Sequence, residues 1–448
     1  WCNESQERYV LAIAPESLPL FEQLCTRERC PFAVVGQATE ARQLEVVDAT
    51  APRADQPVDM PMDVLLGKPP KMHRNVTTAQ RRFKPLDLGG VTLQDAVIKV
   101  LGHPTVASKS FLVTIGDRTV GGLTHRDQMI GPWQVPVADC AVTLADYAGF
   151  AGEAMSMGER TPLAALDAPA SGRMAVAESI TNLLAAPIEL ERVKLSANWM
   201  AACGEPGEDA ALYATVKAVG MELCPQLGVS IPVGKDSLSM RTQWQDAAGA
   251  PHKVTSPVSL IVSAFASVAD VRPTLTPQLV AEGDTTLVLI DLGHGRHRLA
   301  GSVLAQALGQ SGCPDIDGVP DLDDPQDLKR LVAAIHQLRD AGQLLAYHDR
   351  SDGGLLACVA EMAFAGHVGV ALNIDLLVTE GDGISDSRME TGDAKNWASQ
   401  VSARREELTL KALFAEELGV VIQVPTAGRD AVMRTLREHG LSRHSHYI

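Results

Sequence analysis

Two stretches far apart in the chain line up without a gap: SQERYVLAIAP, from Ser5 to Pro15, and AEELGVVIQVP, from Ala415 to Pro425. Each carries an apolar run of strand type and closes on a proline, and each is followed by a helix pattern and then a β run. A repeat of this kind constrains architecture before any single residue does, because it implies two copies of one domain type. Chance likeness between two amphipathic strands is the competing explanation. The shared acidic residue (Glu7 and Glu417), the shared proline and the matching downstream order weigh against it. In the first copy the expected elements are a strand over Arg8–Ala14, a short helix, and a strand over Phe32–Gly36. That copy is present only as its C-terminal end.

Between the copies the chain alternates helix and strand patterns. Proline and basic clusters (Pro69-Pro70-Lys71 and Arg81-Arg82-Phe83-Lys84-Pro85) mark a connecting segment between Asp55 and Gly90. A helix pattern at Leu93, Ala96, Val97, Val100 and Leu101 precedes an expected strand over Phe111–Ile115. A strand over Ala138–Val142, helices over Met174–Ala186 and Ala210–Leu227, and strands over Val229–Val233 and Val258–Val268 follow. A further unit opens at Thr286–Ile290. The alternation argues for α/β (α+β layers), and 448 residues exceed one compact core, suggesting about three units. Thr379–Arg405 is polar and reads as a mobile surface insertion, with a regulatory or binding loop as the alternative.

The centre of the last unit is Leu344–Gly366, LLAYHDRSDGGLLACVAEMAFAG. A short apolar strand gives way to His348-Asp349-Arg350-Ser351-Asp352-Gly353-Gly354, and then apolar residues recur at helical spacing. The paired glycines let the backbone bend and leave helix N–H groups free, so the turn suits a phosphate or a hard cation. Ser351 or Asp352 as an ordinary N-cap is the alternative. Glu178 and Asn182, at i and i+4, project from one helix face and offer two hard oxygen ligands suited to magnesium; a surface glutamate with an i,i+4 hydrogen bond to the asparagine is the alternative, and the stronger one on these two residues alone. Asp139 sits inside an apolar strand run, where an unpartnered carboxylate is expensive and calls for a cation, a hydrogen-bonding end or a solvent-facing strand terminus. Gly234-Lys235-Asp236-Ser237 resembles a phosphate-contacting turn or a capped loop. His348 can be a general acid or base, or a hydrogen-bonded structural histidine.

Charge sets the exclusions. With 39 basic against 55 acidic residues the net charge is −16, which disfavours a nonspecific hold on nucleic acid or anionic lipid. A phosphorylated substrate stays compatible, because bound cations reverse the local field. The eight cysteines are scattered with no C-x-x-C pair, which reads as reduced thiols in a cytoplasmic enzyme. No apolar run approaches membrane-spanning length.

In order along the chain, IGDRTVGGLTHRDQMIGPWQVPVADCAVT, GEAMSMGERTP, AVAESITNLL, KLSANWMAACGEPGEDAALY, IPVGKDSLSM and the Leu344–Gly366 stretch resemble the large, single-chain form of phosphoribosylformylglycinamidine synthase, and the resemblance covers almost the whole chain. That family belongs to the aminoimidazole ribonucleotide synthetase superfamily and carries out the ATP-dependent amidine-forming step of purine synthesis. The resemblance implies A-type and B-type domains duplicated as an internal pseudo-dimer. Residues 1–76 would be the C-terminal part of a first B-type domain, 77–104 a linker, 105–275 a second A-type domain, and 276–448 a second B-type domain with the polar insertion near 379–405.

It places Asp139, Glu178, Asn182 and Asp349 on the family's magnesium ligands and Ala138 and Ser351 on its nucleotide contacts, with Mg2+ and ATP or ADP as cofactors. In the family this cluster holds a structural nucleotide, so these residues are cofactor-binding and no catalytic residue is assigned. The implied partners are formylglycinamide ribonucleotide and ATP, a glutaminase domain and the first A-type domain of the parent, with neither nucleic acid nor membrane. The family's N-terminal domain, first A-type domain, glycine-rich nucleotide segment and glutaminase have no counterpart here, so the resemblance leads us to expect that this chain alone does not carry the complete reaction. A nucleotide-cemented scaffold, or another ATP-using member of the superfamily, is the alternative.

Overall fold

The structure, a computed structural model, describes residues 7–68, 73–79, 81–116, 118–119, 121–379 and 394–448. The chain divides into two compact units, residues 1–75 and residues 76–448. The first contains helix α1 (Leu18–Arg27) and a hairpin of β1 (Gln43–Val46) with β2 (Val58–Pro61). Pro19 in the first turn of α1 preorganises the helix, and its apolar residues Phe21 and Cys25 recur one turn apart. The strands expected over Arg8–Ala14 and Phe32–Gly36 do not form. Those residues carry no ladder, and Tyr9, Val10, Leu11, Val34 and Val35 are exposed.

The second unit begins with two helices, α2 (Leu93–Leu101) and α3 (Ser110–Ile115). Thr92 caps α2 by accepting from the Asp95 amide, and Ala96 and Val100 are fully buried. The segment expected as a linker over 77–104 therefore includes a packed helix. The strand expected over Phe111–Ile115 is instead α3, with Phe111, Leu112 and Ile115 exposed. Six strands then build one sheet: β3 (Thr124–Arg126), β4 (Ala141–Leu144), β5 (Gly152–Glu159), β6 (Lys194–Met200), β7 (Ser230–Ser237) and β10 (Ser259–Val268), in the order β3-β4-β5-β10-β6-β7. All neighbours are antiparallel except β6 and β7. A separate hairpin joins β8 (Arg241–Gln245) to β9 (Pro251–Thr255).

Helix α4 (Ala168–Leu183) lies on this sheet and is buried nearly all round. Its composition of alanine, serine and glycine suits that position. Asp167 caps it through the Ala170 amide, and Pro169 occupies the first turn. The approach to β5 is close: a Cβ on Gly158 would lie 2.2 Å from the Ala175 carbonyl oxygen and 2.4 Å from the Ser179 nitrogen. Helix α5 (Glu208–Val216) continues through a π-helical turn to Leu227.

The last part carries β11 (Thr285–Asp291), α6 (Val303–Ala307), α7 (Pro325–Asp340), β12 (Ala346–Asp349), α8 (Gly354–Gly366), α9 (Ala394–Phe414), β13 (Gly419–Pro425), α10 (Arg429–Glu438) and β14 (Ser445–Tyr447). Its antiparallel sheet runs β12-β13-β11-β14. The period of two along a strand divides the side chains between two cores. Val288, Ile290, Tyr347, Val420, Ile422 and Val424 join a core that also contains Ala177 and Ile180 of α4. Leu287, Leu289, Ala346 and Val421 join a second, with Val100 of α2, Leu355 of α8 and Phe414 of α9. Burial on both faces explains why these strands read as continuous apolar runs. Of the polar insertion expected over 379–405, residues 380–393 lie outside the described residues, and from Ala394 the backbone is helical.

Candidate functional site

Glu178 and Asn182 are held by the strand beneath them. The Glu159 amide donates to Glu178 Oε2 at 2.8 Å, and Asn182 Nδ2 donates to the Met157 carbonyl at 3.0 Å. That commits the Asn182 nitrogen and leaves its carbonyl oxygen for a cation. The far end of α4 is fixed from the other sheet. The Tyr347 hydroxyl donates to the Thr181 carbonyl at 2.6 Å, and Arg339 donates to the Leu184 and Ala185 carbonyls, capping the helix C-terminus.

Asp139 lies just before β4 rather than inside a strand, as Ala138–Val142 was expected to place it, and it faces the end of β12. Its Oδ1 accepts from His348 Nδ1 and from the Asp349 amide, both at 2.9 Å. Its Oδ2 and the Oδ2 of Asp349 are buried without a hydrogen-bond partner. Ligand atoms of Asp139, His348 and Asp349 all lie within 4.8 Å of one another. Two buried carboxylate oxygens left without partners are costly, and a divalent cation held by both residues would satisfy them. The residues therefore fit a hard metal ion.

Electrostatics point the same way. Burial, reinforced by neighbouring Asp139, pushes the Asp349 carboxyl up to about 8. Burial also lifts Glu178 well above the carboxylate range; Arg160 opposes the rise, and Asp352 and Asp349 add to it. For His348, burial works against the charge but is outweighed by Asp139 and by the bond from Nε2 to Glu361 at 2.8 Å, so its pKa is raised well above the usual value. Clamped between two carboxylates, His348 is a hydrogen-bonded histidine that orients Asp139.

The turn that follows β12 is anchored by its arginine. Arg350 is buried, donates through Nε to the Glu417 carbonyl at 2.7 Å, and pairs with Asp291. Gly353 (φ +81°) and Gly354 (φ +70°) take the left-handed conformation that starts α8, so the N-cap is Gly353 and neither Ser351 nor Asp352. The Gly353 amide donates to Glu416 Oε1 at 2.8 Å.

Of the residues expected at the site, Ala138, Asp139 and Asn182 line one cavity of 470 Å³ together with Met155, Met157 and Phe265. Asp349 and Glu178 are not among the lining residues: the Asp349 amide bonds the Asp139 carboxylate, and Glu178 is near enough to Asp349 for their charges to interact. Ser351 sits half-buried between Asp349 and Asp352 and does not line that cavity. Gly234-Lys235-Asp236-Ser237 is no turn: it lies within β7, with Lys235 Nζ bonded to Ser237 Oγ at 3.0 Å. Sequence reasoning passed over Arg160, Glu361 and Glu416, and saw in Asp352 only a residue of the turn or its N-cap. Arg160 stands in the GERTP motif and Glu416 in the repeated block, but neither carries a spacing that betrays a role.

Residues 108–267 match the family described as FGAR-AT PurM_N-like domain, and residues 281–446 match the AIR synthase related protein, C-terminal domain. Among solved structures, "T. maritima PurL complexed with FGAR" is similar at 13% identity and a TM-score of 0.51, over 79% of this chain and 48% of that one. The structure of PurLQS from Thermotoga maritima is similar at 14% identity and a TM-score of 0.47, over 71% and 42%. The hydrogenase maturation protein HypE is similar at 15% identity and a TM-score of 0.40, over 68% and 81%. The chain thus spans less than half the length of the two Thermotoga proteins. It has a mixed α/β fold with an N-terminal domain of the PurM type and an AIR synthase-related C-terminal domain. Among the described residues no helix is long and apolar enough to cross a membrane.

Proposed function

We propose that this pair of domains, of the AIR synthase-like superfamily, is part of an ATP-dependent, amidine-forming ligase of purine synthesis, and that its interdomain carboxylate cluster holds a magnesium-bridged ADP or ATP. Asp139, Glu178, Asn182 and Asp349 would hold the metal, and Ala138 and Ser351 would contact the nucleotide. The observation that carries this reading is the pair of buried, unpartnered oxygens, Asp139 Oδ2 and Asp349 Oδ2; of the two residues, Asp139 lines a cavity walled by Met155, Met157 and Phe265. Such a wall suits the apolar face of a purine ring, while the carboxylates suit metal ions on its phosphates.

Magnesium there would neutralise phosphate charge that the acidic chain repels. The protein's own contribution is positional. Backbone bonds from β5 fix Glu178 and Asn182, His348 orients Asp139, and Arg350 anchors the turn that presents Asp349 and Ser351. The similar structure named for FGAR and the sequence resemblance support formylglycinamide ribonucleotide as the substrate of the whole enzyme, which we assign to the large single-chain form. Ammonia would come from a glutaminase domain outside this chain, which here supplies the C-terminal part of the synthase core.

Because the ligands come from two domains, the bound nucleotide also acts as a cement, consistent with a structural nucleotide. Calorimetric titration of the chain with ADP in the presence of Mg2+ tests the reading. One bound nucleotide is expected, with affinity lost in Asp139→Asn and in Asp349→Asn. Absence of binding, or binding indifferent to both substitutions, overturns it.

A further inference from the structure

The carboxylates of the candidate site already have one cation among them. Arg160 follows β5, is 3% exposed, and reaches three acids from one guanidinium. Its Nη2 bonds Glu416 Oε2 at 2.7 Å, and its Nη1 lies 3.5 Å from Asp352 Oδ1 and 3.9 Å from Glu178 Oε1. Glu178 belongs to the helix of the first sheet, whereas Asp352 and Glu416 belong to the second domain. Glu416 passes the link on, because its Oε1 accepts from the amides of Val303 and Gly353 at 2.8 Å each. One fork therefore ties the metal helix, the turn that carries Asp349 and the start of α8.

The distances are unequal in a useful way. The contact with Glu416 is a charge-assisted hydrogen bond, while the contact with Glu178 is only electrostatic at 3.9 Å. Glu178 Oε1 is thus influenced by Arg160 without being consumed by it, and stays available to a metal. We propose that Arg160 is a positioning residue with two separable effects: its fork clasps the Asp349–Gly353 turn onto the Glu178 helix, and its charge limits how many divalent cations the carboxylate cluster accepts. This rests on the metal-nucleotide reading of the same site.

The two effects predict opposite signs, which a purely structural arginine does not. Removing the charge exposes Glu178, Asp352 and Glu416 to one another and raises their appetite for free cations, whereas removing the clasp loosens the turn that meets the nucleotide. In the full chain, Mn2+ binding without nucleotide is followed by electron paramagnetic resonance, and ADP binding in saturating Mg2+ by calorimetry. Arg160→Met should bind Mn2+ alone about tenfold more tightly, or take up an additional equivalent, and should bind ADP about tenfold more weakly. Arg160→Lys keeps the charge but not the fork, so its Mn2+ affinity should stay within about twofold of the parent while ADP affinity still falls.

Parallel weakening of both ligands in Arg160→Met, unchanged Mn2+ binding in that variant, or unchanged ADP binding in Arg160→Lys overturns the inference and leaves the nucleotide reading standing. Failure of the parent chain to bind ADP removes both. If melting curves show that Arg160→Met does not fold, Asp352→Asn carries the test in the other direction. Deleting a carboxylate that faces the guanidinium should weaken Mn2+ binding severalfold, and an unchanged affinity overturns the inference.

Discussion

Asp139 and Asp349 sit back to back because the Asp349 amide donates to the Asp139 carboxylate, and each keeps one oxygen buried with no hydrogen bond. The consequence is a pH dependence whose sign can be worked out. Asp349 is raised to about 8, against an ordinary aspartate near 4, so between those values the folded chain holds a proton that the unfolded chain has lost. This residue's contribution to stability therefore decreases as pH rises from about 4 to about 8. Magnesium competes with that proton, so its affinity should climb through the same window and binding should release protons. Melting curves from pH 5 to 8, with and without Mg2+, check the first point, and calorimetry in buffers of different ionisation enthalpy checks the second. In Asp349→Asn both pH dependences should flatten relative to the parent. Arg350 makes a different point about buried charge. Arg350→Met leaves Asp291 buried with only the Gly293 and Gly295 amides, and should cost about 3 kcal/mol in urea unfolding, with part recovered by Asp291→Asn.

At the scale of elements, α4 is what brings the site into register, and Gly158 is what lets α4 come close. A methyl group at Gly158 would meet the Ala175 carbonyl oxygen and the Ser179 nitrogen of the helix backbone, which cannot rotate away as a side chain would. Gly158→Ala should therefore destabilise by about 1–3 kcal/mol and, by lifting α4 from β5, weaken the bonds that fix Glu178 and Asn182. Lower melting temperature together with weaker Mg·ADP binding is the expected result, and intact binding would separate the glycine from the site. The helix face of Glu178 and Asn182 and the strand, turn and helix around Asp349 were legible because both rest on local spacing. The bonds of Arg160 to Asp352 and Glu416 were not, since they join residues hundreds of positions apart and each looks like an ordinary surface charge in sequence. The strand expected at Phe111–Ile115 failed for the complementary reason. Its β-branched content favours a pleated neighbour, but among the described residues the segment pairs with no strand and folds as a short helix.

For the whole molecule, the repeat that organised the sequence takes two forms. β13 is buried between β11 and β12, whereas its counterpart over Arg8–Ala14 has no ladder among the described residues. Strand pattern alone does not make a strand; hydrogen-bonded neighbours do. Amides of Val420–Val424 should accordingly exchange hydrogen only through large opening events, and those of Tyr9–Ile13 at nearly free-peptide rates. Within residues 76–448 the situation is the reverse of independence. Ala177 and Ile180 of α4 share a core with Ile290, Val420 and Ile422 of the second sheet, so neither domain can open without exposing apolar surface of the other. A nucleotide whose ligands come from both sides adds to that coupling by mass action, about 2.7 kcal/mol at a hundredfold excess over its dissociation constant. Calorimetry of the chain should show the two domains melting in one transition, and Mg·ADP should move that transition upward as a unit. If Mg·ADP instead resolved two transitions, with only one of them shifted, the ligands would belong to a single domain, and the pairing of Glu178 with Asp349 across the interface would be wrong.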